Sequence, residues 1–287
     1  MSVIDVETNF NHYSESLFDG YNKILDLSQS KVRTDIAFLE VYYFFLNFVA
    51  DEGFLNQRHK TEQILYAKLS SDVFAILTNL SAGCISQAMT ILRSLFETTI
   101  YAKFISENPE IRLNLYSDFS IVQKQRLNEQ DGRKDDELKR QYDLIKHKFH
   151  LQKQWYTKHL LEIINSNSHY KNKKPSIRTL SLIVGMQKEY DVLYSVLSHA
   201  GHGNSILENV YIQKGHFNAG PVYLPYWNEL IARIAVNYAS KCFKSIMLLN
   251  SKENILSYIE YSELLSYKIM MESMVNQNKD EQDEHNN

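Results

Sequence analysis

The sequence predicts an all-α protein, and three observations carry that prediction. In 287 residues there are only 9 Gly and 4 Pro, too few for the many turns of a barrel or sandwich. Apolar residues recur at steps of three and four nearly throughout, the spacing of one helix face. The interruptions are short and fall at Gly, Pro or polar clusters. Apolar residues make up 44% and charged residues 23%, ordinary globular values that allow a real core.

The elements follow in order. Residues 5–28 carry Phe10, Tyr13, Leu17, Tyr21, Ile24 and Leu25 at helical spacing. Residues 31–50 hold the most apolar stretch, IAFLEVYYFFLNFVA over 36–50, with Glu40 and Asn47 inside it. A membrane span needs about 20 apolar residues, so a buried core helix is expected here. A loop at 51–59 precedes a helix over 61–81, which repeats Ile64, Leu65, Leu69, Val73, Ile76, Leu77 and Leu80. Gly83 marks a break or a close helix contact. Residues 84–107 form the next helix, and Pro109 starts another over 110–128, as Pro suits the first helical turn. The polar stretch 128–137 reads as a loop, followed by one long helix over about 134–164. The run NSNSHYKNKKPS at 165–176 is a loop by composition. Short helices are expected at 177–185 and 187–200. Residues 201–225 hold four Gly and two Pro and form the one long irregular region. Two helices, 226–249 and 251–275, end the fold. The expectation is a single helical domain, residues 1–275, of nine or ten helices, with a disordered acidic tail at 276–287.

Several function classes lose their usual signatures. Two Cys, Cys84 and Cys242, rule out a disulfide scaffold. With no signal-like start, they lead to an expectation of a reduced, cytoplasmic setting. There is no Gly-rich phosphate loop, no CxxC and no HExxH, so P-loop hydrolysis, thiol redox chemistry and zincin proteolysis are not expected. His199 and His202 stand three apart, but a structural metal site needs about four ligands. No metal and no cofactor is expected. Ser198 lacks a GxSxG elbow.

Polar residues at core spacing are more informative. Arg93, Glu97 and Tyr101 step by four through ILRSLFETTIYAKF, so they stack along one helix face among apolar neighbours. Tyr190, Tyr194, Ser198 and His202 step by four through YDVLYSVLSHAGHG, with Gly201 and Gly203 ending the helix beside His202. These two lines define a candidate site. Arg93 is an anion clamp that Glu97 orients. His202 is a general acid or base near neutral pKa, and Ser198 orients it or binds a phosphate oxygen. Tyr101, Tyr190 and Tyr194 supply a binding face. The same residues also fit a structural role, with Arg93 and Glu97 as an i,i+4 pair that specifies packing and Ser198 and His202 as helix-end residues.

The segments ILRSLFE at 91–97 and YDVLYSVLSHAGHG at 190–203 resemble a bacterial all-helical family of unknown function, number five-six-seven-seven of the domain-of-unknown-function series. The match lies at Arg93, Ser94, Glu97, Tyr190, Tyr194, Ser198 and His202, and it spans roughly residues 60–250. The resemblance implies an all-helical fold and says little about chemistry. Helical families of this general look include ribonucleases of the HEPN superfamily, an analogy of fold alone. The HEPN spacing of Arg, four to six residues, then His is met by Arg140 and His147. The chain's Arg and His counts yield about one such match by chance, so that spacing carries no argument.

The net charge of −3 hides a basic strip. Residues 139–178 hold ten Lys and Arg against two acids, Asp143 and Glu162, and five aromatics are interleaved. Charge beside stacking surfaces suits single-stranded nucleic acid, with Lys171, Lys173 and Lys174 as substrate contacts. A solvated helix whose Lys stems cover apolar surface fits the strip too. The sequence therefore leads to a metal-independent endoribonuclease, homodimeric and without a membrane partner, that acts on RNA and serves defence against phage or mobile elements. The alternative is a non-catalytic helical interaction module, either an oligomeric scaffold or a small-ligand receptor.

Overall fold

The computed structural model describes residues 33–53, 55–56, 58–149, 154–201, 208–213, 216–217, 221–222, 224–249 and 255–268. The fold is all-α, and the helices form one compact arrangement. In chain order they are α1 (Arg33–Asp51), α2 (Lys60–Ser81), α3 (Ile85–Glu107), α4 (Pro109–Gln130), α5 (Asp136–Ile145), α6 (Thr157–Ser166) and α7 (Ile177–Ile183). Then α8 runs as one rod through Gln187–Glu189, a π turn at Tyr190–Tyr194, and Ser195–Gly201. It is followed by α9 (Glu208–Tyr211), α10 (Pro225–Leu248) and α11, residues 256–268. The described strands are a two-residue antiparallel pair, Ile212–Gln213 against His216–Phe217. No described helix is long and apolar enough to cross a membrane.

The centre is α3. Leu92, Leu95, Phe96, Ile100 and Phe104 are fully buried, each contributing about 1.5–3 kcal/mol relative to exposure. Ala88, Thr99 and Ala102 are also fully buried, and these small residues let neighbours approach. Thr99 Oγ1 donates to the Tyr238 carbonyl of α10 at 3.2 Å. Around α3 lie α10, α2 and the end of α8, while α1 completes a four-helix group with α2, α3 and α10. A buried hydroxyl relay joins α1, α10 and α11: Tyr42 and Ser262 are 2.7 Å apart, and Ser262 and Ser240 are 3.0 Å apart. Three polar side chains therefore enter the core without leaving a bonding group unpaired.

Gly83 makes the expected break, and its close contact is with a non-helical segment. At φ +70° it closes α2, with its N–H on the Leu80 carbonyl and the Cys84 N–H on the Asn79 carbonyl, a Schellman end. A Cβ here would also meet Pro221 at 3.0 Å and the Val222 backbone at 3.1 Å. The Val222 N–H instead bonds the Gly83 carbonyl at 3.0 Å.

The expected long helix over 134–164 is two helices. Asp135 caps α5 at the Leu138 N–H, a 3₁₀ turn at Lys146–Lys148 ends it, and α6 begins only at Thr157. No residue of α5 is buried, so no apolar stripe holds a longer rod in place. Trp155 and Tyr156 are buried instead, against Tyr101, Phe104 and Tyr116 at ring distances of 5.2–6.0 Å. Aromatic burial from tertiary packing overrides the local helical preference. A second difference concerns α1. Its inner residues Leu39, Tyr42 and Leu46 are fully buried, yet Val41, Phe44 and Phe48 are 49%, 59% and 52% exposed among the described residues. The expected helix at 5–28, about half of the irregular region and the tail at 276–287 lie outside the described residues.

One ion pair went unnoticed in the sequence. Arg58 and Glu62 meet at 2.9 Å with their side chains 4% and 2% exposed. The same guanidinium donates to the Ile246 and Met247 carbonyls at 3.4 and 3.3 Å, so it caps the C-terminal end of α10, where a cation is favourable. Arg58→Ala strands the Glu62 charge in the core and should cost about 3–5 kcal/mol in urea unfolding. The double change Arg58→Met with Glu62→Leu should recover much of that loss. If the double variant is as unstable as the single one, the pair is not what holds this corner.

Candidate functional site

The two polar lines meet. Arg93 and Glu97 stand one turn apart on α3, and their face looks at α8. On a regular helix, steps of four drift by about 40°. The wider π turn advances each residue by less, which offsets the drift and brings Tyr190 onto Tyr194. Their rings stack at 4.4 Å and 16°. Such turns are rare and are frequent at functional positions.

The hydrogen bonds close a small network. Arg93 Nε donates to Glu97 Oε1 at 3.1 Å, Nη1 to Ser198 Oγ at 3.1 Å and Nη2 to the Tyr194 hydroxyl at 2.6 Å. That hydroxyl donates in turn to Glu97 Oε1 at 2.9 Å. Arg93 Cζ also lies 4.6 Å from the centre of the Tyr194 ring, in cation–π range. The guanidinium has five N–H donors, so two remain for a ligand. Arg93 and Glu97 are each 28% exposed, neither sealed nor free. Burial opposes the Arg93 charge, but Tyr194 and Glu97 outweigh it and its pKa rises. Burial, reinforced by the hydrogen bond to Glu97, pushes the Tyr194 phenol up to about 12.

Tyr194 and Ser198 of this network also line an open groove of about 320 Å³, together with Arg178, Tyr190, Asp191 and Ser195. Arg178 Nε donates to Asp191 at 3.0 Å. Each arginine here thus has one carboxylate beside it, and the groove is close to neutral. A larger hollow of about 520 Å³ between α1 and α2 has no carboxylate, imidazole or cation on its walls, and it offers less chemistry. No group of three or more potential metal ligands occurs among the described residues.

The other predicted residues fall elsewhere. His202 and the His199 side chain lie outside the described residues. Tyr101 is turned from the groove into the aromatic cluster, 5.8 Å from Tyr156. Its hydroxyl bonds Tyr156, whose pKa rises to about 12 chiefly through burial. Lys171, Lys173 and Lys174 are exposed on the turn before α7 and do not line the groove. Much of the basic strip is locally neutralised: Arg140 pairs with Glu137, Lys146 with Asp143, Lys148 with Asp118 and Arg178 with Asp191. Arg140 and His147 are exposed on separate elements and form no site.

Two polar nodes escaped sequence reasoning. Ser94 faces α2, where Lys68 donates to it at 2.7 Å and its own hydroxyl reaches Asp72 at 3.2 Å. Burial raises the Asp72 pKa, and Lys68 and Ser94 oppose that rise. The i,i+4 pair Lys68 and Asp72 was the available signal. Arg112 of α4 lies 3.7 Å over the Phe104 ring and donates to His159 Nε2 at 3.3 Å and to Glu107 at 3.2 Å. A His that accepts at Nε2 carries its proton on Nδ1. Burial, the largest influence, lowers the His159 pKa, which favours the neutral imidazole.

The model of the family of unknown function DUF5677 matches residues 63–218. That is more than half of the chain, and the chain belongs to this family. The match covers Arg93, Glu97, Tyr194, Ser198 and His202. No curated protein matches the chain, and no solved structure does.

The raised Tyr194 pKa makes a prediction of definite sign. Above pH 10 the unfolded phenol releases a proton that the folded one keeps until about pH 12. This contribution is full below pH 10 and is lost as pH rises through 12. Tyr194→Phe should therefore lose less stability than wild type between pH 10 and 12, read from urea midpoints. Equal losses would show that the hydroxyl is not held as described.

Proposed function

We propose that this DUF5677 protein binds RNA across the groove between α7 and α8 and cleaves it without a metal. The observation that supports the reading is that Arg93, Glu97, Tyr194 and Ser198 share one hydrogen-bond network, of which Tyr194 and Ser198 also line an open groove. Arg178, the last residue of the basic strip, stands on its wall. The two spare Arg93 donors face a phosphate, and Tyr190 offers a ring on which a base can stack. His202 takes the proton from a ribose 2′-hydroxyl. The 2′ oxygen then bonds phosphorus while the bond to the 5′ oxygen breaks, and that oxygen takes a proton from water, leaving a 2′,3′-cyclic phosphate and a 5′-hydroxyl; the hydroxide formed is neutralised by the proton His202 took. Arg93 stabilises charge on the phosphorane, and Lys171, Lys173 and Lys174 hold the flanking chain. A homodimer, a cytoplasmic setting and a role in defence against phage or mobile elements go with this reading.

A second reading has its own observation. Three of the five Arg93 donors are already taken by neighbours on the two helices, so the network also serves as a lock between α3 and α8. In that reading the protein is a non-catalytic interaction module or ligand receptor, and Arg93→Ala lowers the melting temperature without removing any separate activity.

Purified protein and total RNA in EDTA separate the two. Wild type should release fragments ending in cyclic phosphate, and His202→Ala, a general-base loss, should slow this about 100-fold or more. Identical RNA patterns from both proteins would end the enzyme reading. Lys171, Lys173 and Lys174 changed together to Glu should weaken RNA binding and flatten its salt dependence. Unchanged affinity would remove them from the contact surface.

A further inference from the structure

The groove wall carries an ion pair that the cleavage step does not use. Arg178 Nε and Nη2 both lie 3.0 Å from Asp191 Oδ1. Among the described residues, Asp191 Oδ2 receives one long contact, 3.4 Å from Gln187 Nε2, so it has room for further donors. The Arg178 guanidinium keeps further N–H groups in its plane. Both side chains line the groove, so one wall presents a donor beside an acceptor. They are 61% and 41% exposed, and an exposed pair is held weakly, so both groups are available to a ligand. Tyr190 lines the same groove and stacks at 4.4 Å on Tyr194, whose ring centre is 4.6 Å from Arg93 Cζ. A ring backed in this way is a fixed platform on which a flat group stacks at little cost in ordering. The groove volume, about 320 Å³, is at the small end of ligand clefts. That is room for one flat ring system rather than a run of them.

We infer that this groove selects a guanine base, which rests on the RNA reading above and adds the base it takes. Asp191 Oδ2 accepts from guanine N1–H and N2–H, Arg178 donates to guanine O6, and Tyr190 stacks on the ring. Single-stranded bases are recognised by this combination of an aromatic platform and hydrogen bonds to the Watson–Crick edge. Along that edge guanine presents an acceptor and then two donors, the complement of a guanidinium beside a carboxylate. Adenine and cytosine have a ring-nitrogen acceptor at the centre of the edge, where it faces the carboxylate. Uracil matches at O4 and N3–H, but its O2 then meets Asp191. A carboxylate set against an acceptor loses water and gains no bond. The three other bases are thus rejected by unpaired polar groups rather than by size.

Calorimetric titration of the full chain with the four nucleoside 3′-monophosphates tests the site. The guanine nucleotide should bind about tenfold or more tighter than the other three, the discrimination of one good bidentate contact. Inosine 3′-monophosphate, which lacks the 2-amino group, should bind about fivefold more weakly than the guanine nucleotide. Asp191→Asn, at an exposed position, should bring the guanine nucleotide down to the level of the others. Tyr190→Leu should weaken all four together. Equal affinities in wild type, a guanine preference that survives Asp191→Asn, or no nucleotide binding at millimolar concentration would overturn the assignment. Sequencing the ends of any RNA fragments separates guanine recognition from cleavage. Cuts without a preference for guanosine on the 5′ side of the broken bond would remove guanine recognition and leave the nuclease standing. Guanine binding with no RNA cut would do the reverse.

Discussion

The fold depends on α3 being surrounded. A helix with buried residues on most of its circumference must satisfy every polar group it carries from its neighbours, since an unpaired one costs about 1–3 kcal/mol. It does so in three directions. Thr99 reaches the α10 backbone, Ser94 reaches the Lys68–Asp72 pair of α2, and Arg93 with Glu97 reaches α8. Each bond fixes the rotation of α3 against one neighbour. The apolar residues between them, Leu95, Phe96 and Ile100, then fill the space those rotations leave.

The groove is a consequence of that arrangement. Arg93 and Ser94 are adjacent in sequence and about 100° apart on the helix, so one dipeptide serves two interfaces. The α8 interface is the more polar of the two and is only partly closed, because the π turn bulges Tyr190 and Tyr194 toward Arg93. Packing and a chemically usable surface therefore come from the same residues. This is why Arg93 supports two functional readings, and why tests on this residue need a readout other than stability.

Local charge is set by pairing rather than by composition. The basic strip looks like a nucleic-acid surface when counted along the chain. In space four of its cations have acidic partners, two of them, Asp118 and Asp191, from a different helix. Lys171, Lys173 and Lys174 stand exposed together on the turn before α7. Any attraction to a phosphate chain would therefore centre on that turn and on the mouth of the groove, and salt would weaken it over about 10 Å.

The sequence by itself determined the all-α class, most of the described helices and the two polar lines. All of these follow from spacing along one chain: apolar steps of three and four, Gly83 and Pro109 as punctuation, and Arg93 to Glu97 or Tyr194 to Ser198 at one turn. Family membership was legible from the same two segments. Tertiary structure alone decided the rest. It split the helix expected over 134–164, because burying Trp155 and Tyr156 beside Tyr101 outweighs a local preference in a charged segment. It turned Tyr101 away from the groove. It placed Arg58 on the end of α10, nearly 190 residues further along the chain. It also put Ser198 and Tyr194 against Arg93. Spacing shows which groups share a face, but which faces meet is settled only when the core closes and each buried polar group must find a partner.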